Sequence, residues 1–334
     1  MLKLISVVSI CVGICSALHL DPASRGADDL RYQYAPDSNG KIHLVDVRQP
    51  IWGLKNVMRY NPLRSNVYHL FTRENPRVSQ PLMPNNVNLL SRSNYKSIRR
   101  TIVLIHGWMN SATSNFNSVL LRALLAAEDV NVIVVDWSSG SNSLQYREVN
   151  ANAISSGSAV AQFINWLNQN TGSVLAQYHI IGHGVGGHQA GIVGRNLNGQ
   201  VPYITGLDPA LIGWVNNIYR FRPSDALYSE VIHTNYGVFG YLADLAKVDF
   251  YPNGGISMPG CDSNGCDHER GFQYLAESIA SGGFRGRECM NYYAAVLRMC
   301  NGPRQLQMGG LEPKTGASGV YFLETNAQPP FSQG

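Results

Sequence analysis

Two apolar runs, Thr101–Ile105 (TIVLI) and residues 130–135 (VNVIVV), constrain the fold more than any other feature of the sequence. Such β-branched runs with almost no polar interruption are suited to burial on both faces, the situation of strands inside a largely parallel sheet. Between the two runs Leu120, Leu121, Leu124 and Leu125 recur at helical spacing. Val160, Phe163, Ile164 and Leu167 do the same before a third strand at residues 178–181, and a fourth follows at Tyr203–Leu207. Strand alternating with helix predicts an α/β fold, a mostly parallel central sheet flanked by helices, with active groups at the carboxyl ends of the strands. Three tight loops fall there: His106-Gly107-Trp108, Asp136-Trp137 and residues 182–187.

The chain has 334 residues, 44% hydrophobic and 14% charged, enough for one large core. No internal repeat, low-complexity tract or Pro/Gly/Ser linker divides it, so residues 46–334 are expected to form one domain. A formal charge of +4 is too small for a nucleic-acid footprint and leaves room only for a mildly basic face toward anionic lipid. Residues 1–17 read as a signal peptide: Lys3, an apolar run over residues 4–14, then the small residues Cys15-Ser16-Ala17. The mature chain is expected to begin near Leu18 and to be secreted, an extracellular protein. No other stretch approaches the roughly 20 apolar residues of a membrane span. Residues 18–45, polar and weakly patterned with Pro22, Pro36 and an Asn39-Gly40 turn, read as a lightly structured arm.

Beyond the signal, cysteines stand at 261, 266, 289 and 300. Secretion makes disulfides their expected state. Of three possible connectivities the local one, Cys261 with Cys266 and Cys289 with Cys300, closes the shortest loops. A zinc site is the rival, but the spacings Cys-x4-Cys and Cys-x10-Cys lack the close ligand pairs of zinc ribbons. No metal or cofactor is expected.

The glycine-dense segment Ile180-Ile181-Gly182-His183-Gly184-Val185-Gly186-Gly187-His188 fits two patterns. Gly182, Gly184 and Gly187, with Asp208 about 20 residues beyond, match a dinucleotide fingerprint. That fingerprint normally opens the first strand of its unit, whereas strong strands precede this one. The second pattern is a nucleophile elbow, G-x-S-x-G, whose central residue sits in a strained strand-to-helix turn. Here Gly184 takes the place of the serine. Glycine tolerates such a backbone, so the turn can persist while its chemistry is lost.

Several motifs appear in order: His106-Gly107-Trp108, the glycine turn with His188, Gly206-Leu207-Asp208-Pro209-Ala210, His233-Thr234-Asn235, Asp249-Phe250-Tyr251-Pro252-Asn253-Gly254-Gly255, Cys266-Asp267-His268-Glu269-Arg270 and Tyr321-Phe322-Leu323-Glu324-Thr325-Asn326. Together they make the chain resemble the pancreatic-lipase family, with its phospholipase A1 and insect yolk-protein branches, from about Asp46 onward. The resemblance implies an α/β-hydrolase fold. It places the triad acid at Asp208, the general base at His268 and the nucleophile's position at Gly184. The oxyanion donors would be the backbone N–H groups of Trp108 and Val185. His106, His183 and His188 flank tight turns and read as partners of backbone groups.

Triglyceride lipases of the family carry a longer lid than the four residues between Cys261 and Cys266, and a longer loop than residues 236–247. Both truncations resemble phospholipase A1 and imply an uncovered site, while Ala246-Lys247 departs from the Gly-His usual before the Asp249 motif. The expectation is a secreted, lipase-like pseudoenzyme that binds lipid or another small apolar ligand, with peripheral contact to a lipid surface. The alternatives are an active phospholipase A1-like ester hydrolase, in which water or another group replaces serine, and a storage or structural protein.

Overall fold

The computed structural model describes residues 32–36, 42–46 and 60–334. The expected signal peptide, with Cys11 and Cys15, lies outside the described residues, as does most of the expected arm. Where the arm is described it is regular: β1 (Tyr32–Pro36) and β2 (Ile42–Asp46) pair antiparallel as a separate two-stranded sheet. The lightly structured expectation is corrected there, because Tyr, Ile and Val on either side of an Asn-Gly pair carry strand propensity that outweighs the polar composition.

The main sheet has eleven strands: β3 (Val67–Phe71), β4 (Gln80–Leu82), β5 (Thr101–Ile105), β6 (Asn131–Asp136), β7 (Tyr178–His183), β8 (Tyr203–Leu207), β9 (Tyr228–Ile232), β10 (Val248–Pro252), β11 (Arg285–Cys289), β12 (Gln305–Gln307) and β13 (Gly319–Leu323). Their order is β12-β11-β13-β10-β9-β8-β7-β5-β6-β3-β4. Every pairing from β6 across to β13 is parallel. Antiparallel strands continue the sheet at both ends, β3 and β4 beyond β6, β11 and β12 beyond β13.

The apolar runs are continuous because the sheet is covered twice. Val103 and Ile105 of β5 face a core shared with α2 (Tyr146–Thr171) and α3 (Val185–Asn196). Ile102 and Leu104, alternating with them, face a second core shared with α1 (Asn115–Ala127) and α4 (Asn264–Ala280). With period-two side chains and no wet face, each position must be apolar. The four strands and two helices expected from the sequence are present. The parallel strands β9, β10 and β13 add to them.

Candidate active site

Each chemical group at the carboxyl edge of the sheet is held by a particular local geometry. Strand β7 ends at His183 and α3 begins at Val185, so Gly184 alone makes the turn, at φ +57° and ψ −121°. An L side chain rarely adopts that φ. The neighbours are steric necessities: a Cβ on Gly182 would lie 2.0 Å from the Gly186 carbonyl oxygen, and one on Gly186 would lie 2.2 Å from that of Ile105. Gly182 and Gly186 are therefore explained by how tightly helix and strand approach, and a Cβ on Gly187 would lie 3.3 Å from the Pro209 ring.

Asp208 follows β8 in the left-handed region, at φ +42°, a conformation aspartate tolerates better than most residues. The carboxylate is fully buried and none of its charge goes unanswered. The backbone N–H groups of Thr234 and Asn235 donate to Oδ1 at 2.9 and 3.0 Å, and His268 Nδ1 donates to Oδ2 at 2.6 Å. A Cβ on Gly240 would stand 2.1 Å from Oδ1, so the loop of residues 236–247 closes over the carboxylate only because residue 240 has no side chain.

His268 rides on the second turn of α4. Ser263 caps that helix by accepting from the N–H of Cys266, which is bonded to Cys261. Asp267 Oδ1 accepts from the Met258 N–H at 2.5 Å, and burial raises its carboxyl's pKa. His183 Nε2 donates to the His268 carbonyl at 3.1 Å, with the two rings 4.2 Å apart. These contacts fix the imidazole from several sides. The remaining nitrogen, Nε2, would lie 3.1 Å from a Cβ at Gly184. Gly184, His268 and Asp208 are thus brought together, with the imidazole between the glycine turn and the carboxylate.

Gly107, Trp108, Tyr146, Gly184, Val185, Ala210, Ile212, Phe239 and His268 surround a cavity of about 30 Å³. Trp108 is buried and its indole Nε1 donates to the Ser143 carbonyl. The uncovered site expected from the short lid needs correction. The residues between Cys261 and Cys266 supply the cap and first turn of α4, while Phe239 packs edge-on against the His268 ring at 6.1 Å. The loop of residues 236–247 supplies cover, leaving His268 only 8% exposed.

His106 and His188 bond backbone groups: His106 Nε2 accepts from the Trp137 N–H, and His188 Nε2 donates to the Ala210 carbonyl. His183, Phe239 and Gly240 carry weight at the site without having been assigned to it from the sequence. The signal for His183 was its place beside Gly184; for Gly240, a lone glycine in a loop, there was none. The disulfides are the local pair, Cys261–Cys266 and Cys289–Cys300. Among the described residues no group of three or more His, Cys, Asp or Glu side chains is placed to hold a metal ion, and no helix is long and apolar enough to cross a membrane.

The family model described as Lipase matches residues 54–331. Pancreatic triacylglycerol lipase of Cavia porcellus is 35% identical, over 72% of this chain and 58% of that protein. The Homo sapiens pancreatic triacylglycerol lipase is 33% identical over 73% and 58%. Pancreatic lipase-related protein 2 of Cavia porcellus is 36% identical over 79% and 65%. In each case the match spans less than two thirds of the relative's length.

Proposed function

The chain belongs to the lipase family, and on that premise we propose that it is a secreted, catalytically inactive lipase-like protein that binds lipid or another small apolar ligand. On this reading Asp208 and His268 take the roles of acid and base, Gly184 holds the nucleophile's position, and the backbone N–H groups of Trp108 and Val185 would serve as oxyanion donors. The single observation that carries the proposal is the aim of His268 Nε2 at a residue with no side chain. In acyl transfer by a triad, the serine oxygen bonds to the substrate while histidine moves its proton and aspartate holds the ring. Without that oxygen no acyl-enzyme forms. Loss of the nucleophile lowers the rate on the order of a millionfold, about 8 kcal/mol of barrier.

Ligand binding is supported by what surrounds the cavity, chiefly Trp108, Tyr146, Val185, Ile212 and Phe239. Secretion is supported by the two disulfides, which belong to oxidising compartments, together with the sequence of residues 1–17. The test is direct: the purified protein should hydrolyse neither phosphatidylcholine nor p-nitrophenyl esters above background, and a fluorophosphonate probe should label no serine. Stoichiometric labelling would overturn the proposal.

One feature favours a second reading. The cavity beside His268 has room for water, which His268 could activate as a weak nucleophile. Ester turnover that disappears in His268→Ala, without fluorophosphonate labelling, would establish it.

A further inference from the structure

We propose that the protein carries a second binding site, for a pyranose sugar, in the cavity between the C-terminal end of α2 and the short helix Val87–Ser91. The cavity measures about 170 Å³, and Leu90, Ser91, Ser93, Tyr95, Ser97 and Asn170 are in its wall. It lies at the opposite edge of the sheet from the candidate active site. The Tyr95 hydroxyl bonds Thr101 Oγ1 at 3.1 Å, and Thr101 is the first residue of β5, whereas the loop of Gly107 and Trp108 follows the other end of that strand. What occupies this cavity is therefore independent of what occupies the space beside His268.

The bonds that the wall has already made decide what it can still bind. Ser91 Oγ donates to the Asn88 carbonyl at 3.1 Å, and Ser93 Oγ donates to the Leu90 carbonyl at 2.7 Å. Both hydroxyl protons are committed, so toward a ligand these two serines can only accept. Asn170 gives one amide N–H to the Trp166 carbonyl at 2.7 Å and keeps its other N–H together with Oδ1. Ser97 Oγ has no partner among the described residues. The wall thus offers acceptors and donors side by side, with acceptors in excess. A hydroxyl group donates and accepts at once, and a ring of several hydroxyls can answer such an array point by point. Ethers and esters, which only accept, leave Ser91 and Ser93 unanswered.

Charge and shape narrow the choice to a sugar. Among the described residues none of the side chains in the wall is charged, so an ammonium finds no carboxylate there and an anion finds no cation. With its hydroxyl held by Thr101 and Ser173, Tyr95 is left to offer its ring beside Leu90. The C–H face of a pyranose is a flat apolar surface suited to an aromatic floor, which an acyclic polyol lacks. Size agrees: about 170 Å³ admits roughly a dozen water-sized groups, about the number of non-hydrogen atoms in a hexose.

Saturation-transfer NMR titration of the full chain tests the proposal, with methyl β-glucopyranoside, methyl β-galactopyranoside, the per-O-methylated glucoside and choline as probes. At least one methyl pyranoside should bind five times or more tightly than both the per-O-methylated compound, which keeps the ring and loses every donor, and choline. Ser91 and Asn170 are exposed, so Ser91→Ala with Asn170→Ala should leave the urea midpoint unchanged while weakening that pyranoside about tenfold. Octyl β-glucopyranoside below its micelle concentration separates the two sources of such a sugar. A gain over the methyl glucoside that the double variant abolishes assigns a lipid-borne headgroup, equal affinity assigns a free sugar, and both support a pyranose site. Equal binding of the per-O-methylated compound, preference for choline, pyranoside binding unaltered in the double variant, or no binding of any pyranoside would each overturn it.

Discussion

Gly184 allows a sharp prediction because its environment is fixed on every side. A serine there adds a Cβ 3.1 Å from His268 Nε2 at a φ of +57°, so the ring must yield a few tenths of an ångström while Asp208 holds its other nitrogen. Gly184→Ser should lower stability by about 1–3 kcal/mol, read from the urea midpoint. It should also gain a small rate of p-nitrophenyl butyrate hydrolysis that vanishes in Gly184→Ser with His268→Ala. The gain is partial because misplacement by about 1 Å can lower a rate roughly a hundredfold. A folded but inert single mutant would make Asp208 and His268 structural remnants. Gly240→Ala is the complementary experiment: with only 2.1 Å between the new methyl and Asp208 Oδ1, the loop must lift. A loss of about 1–3 kcal/mol in the same measurement is expected. Position 184 was legible in the sequence because a named spacing surrounds it, and Asp208 and His268 because flanking motifs mark them. Gly240 was not, since its contribution is the absence of atoms next to a carboxylate 32 residues away in sequence, a proximity only the fold creates.

Helix α3 and its flanking loops carry histidines that cannot be charged where they lie. His188 Nε2 donates to the Ala210 carbonyl at 2.7 Å, and the Phe221 N–H donates to its Nδ1 at 3.0 Å. A second ring proton would meet a donor. Burial accordingly pushes His188 from 6.5 down to about 3 and His183 well below its ordinary value. Because the unfolded chain takes up protons near pH 6.5 and the folded one does not, stability is full above that pH. It falls as the pH drops toward 3, by up to about 1.4 kcal/mol per unit for each histidine. Urea unfolding at pH 7.5 and 5.0 should show the loss, and His188→Gln should flatten it. The disulfides act on other elements: Cys289→Ser with Cys300→Ser opens a loop of sequence separation 11 and should destabilise by roughly 3 kcal/mol. Strands β5 to β8 were legible since apolar runs without charged residues fill their middles. Strands β9 and β10 were not, because Glu230 and Asp249 lie fully or almost fully buried within them. The chain satisfies these carboxylates from outside their strands: Lys314 donates to Glu230 from 84 residues away, and Asp249 accepts from His233 Nε2 on the neighbouring loop and from the Leu245 and Ala246 N–H groups of the turn before β10. Sequence patterning cannot anticipate such partners.

Across the whole molecule, the loops that follow the parallel strands gather on one side, around the candidate site. In those loops Leu144, Val215, Ile218, Tyr219, Val238 and Leu242 are exposed, and the Tyr241 hydroxyl ties two of the loops by donating to the Val215 carbonyl. Exposed apolar groups on loops of the same sheet edge favour contact with an apolar phase. Ile218→Ser with Val238→Ser should reduce partition onto phosphatidylcholine vesicles several-fold in a flotation assay while leaving the urea midpoint unchanged. The opposite behaviour is built into the ends of the sheet. Among the described residues its outermost strands, β4 and β12, are three residues each, and β4 carries Pro81 opposite His69. Short edges and a proline without an N–H give a neighbouring copy little backbone to pair with. Eleven strands in one sheet would otherwise be a template for aggregation, and here the template stops after three residues at each end. Two copies brought edge to edge thus find at most three residues of strand to share, too few to join their sheets into one.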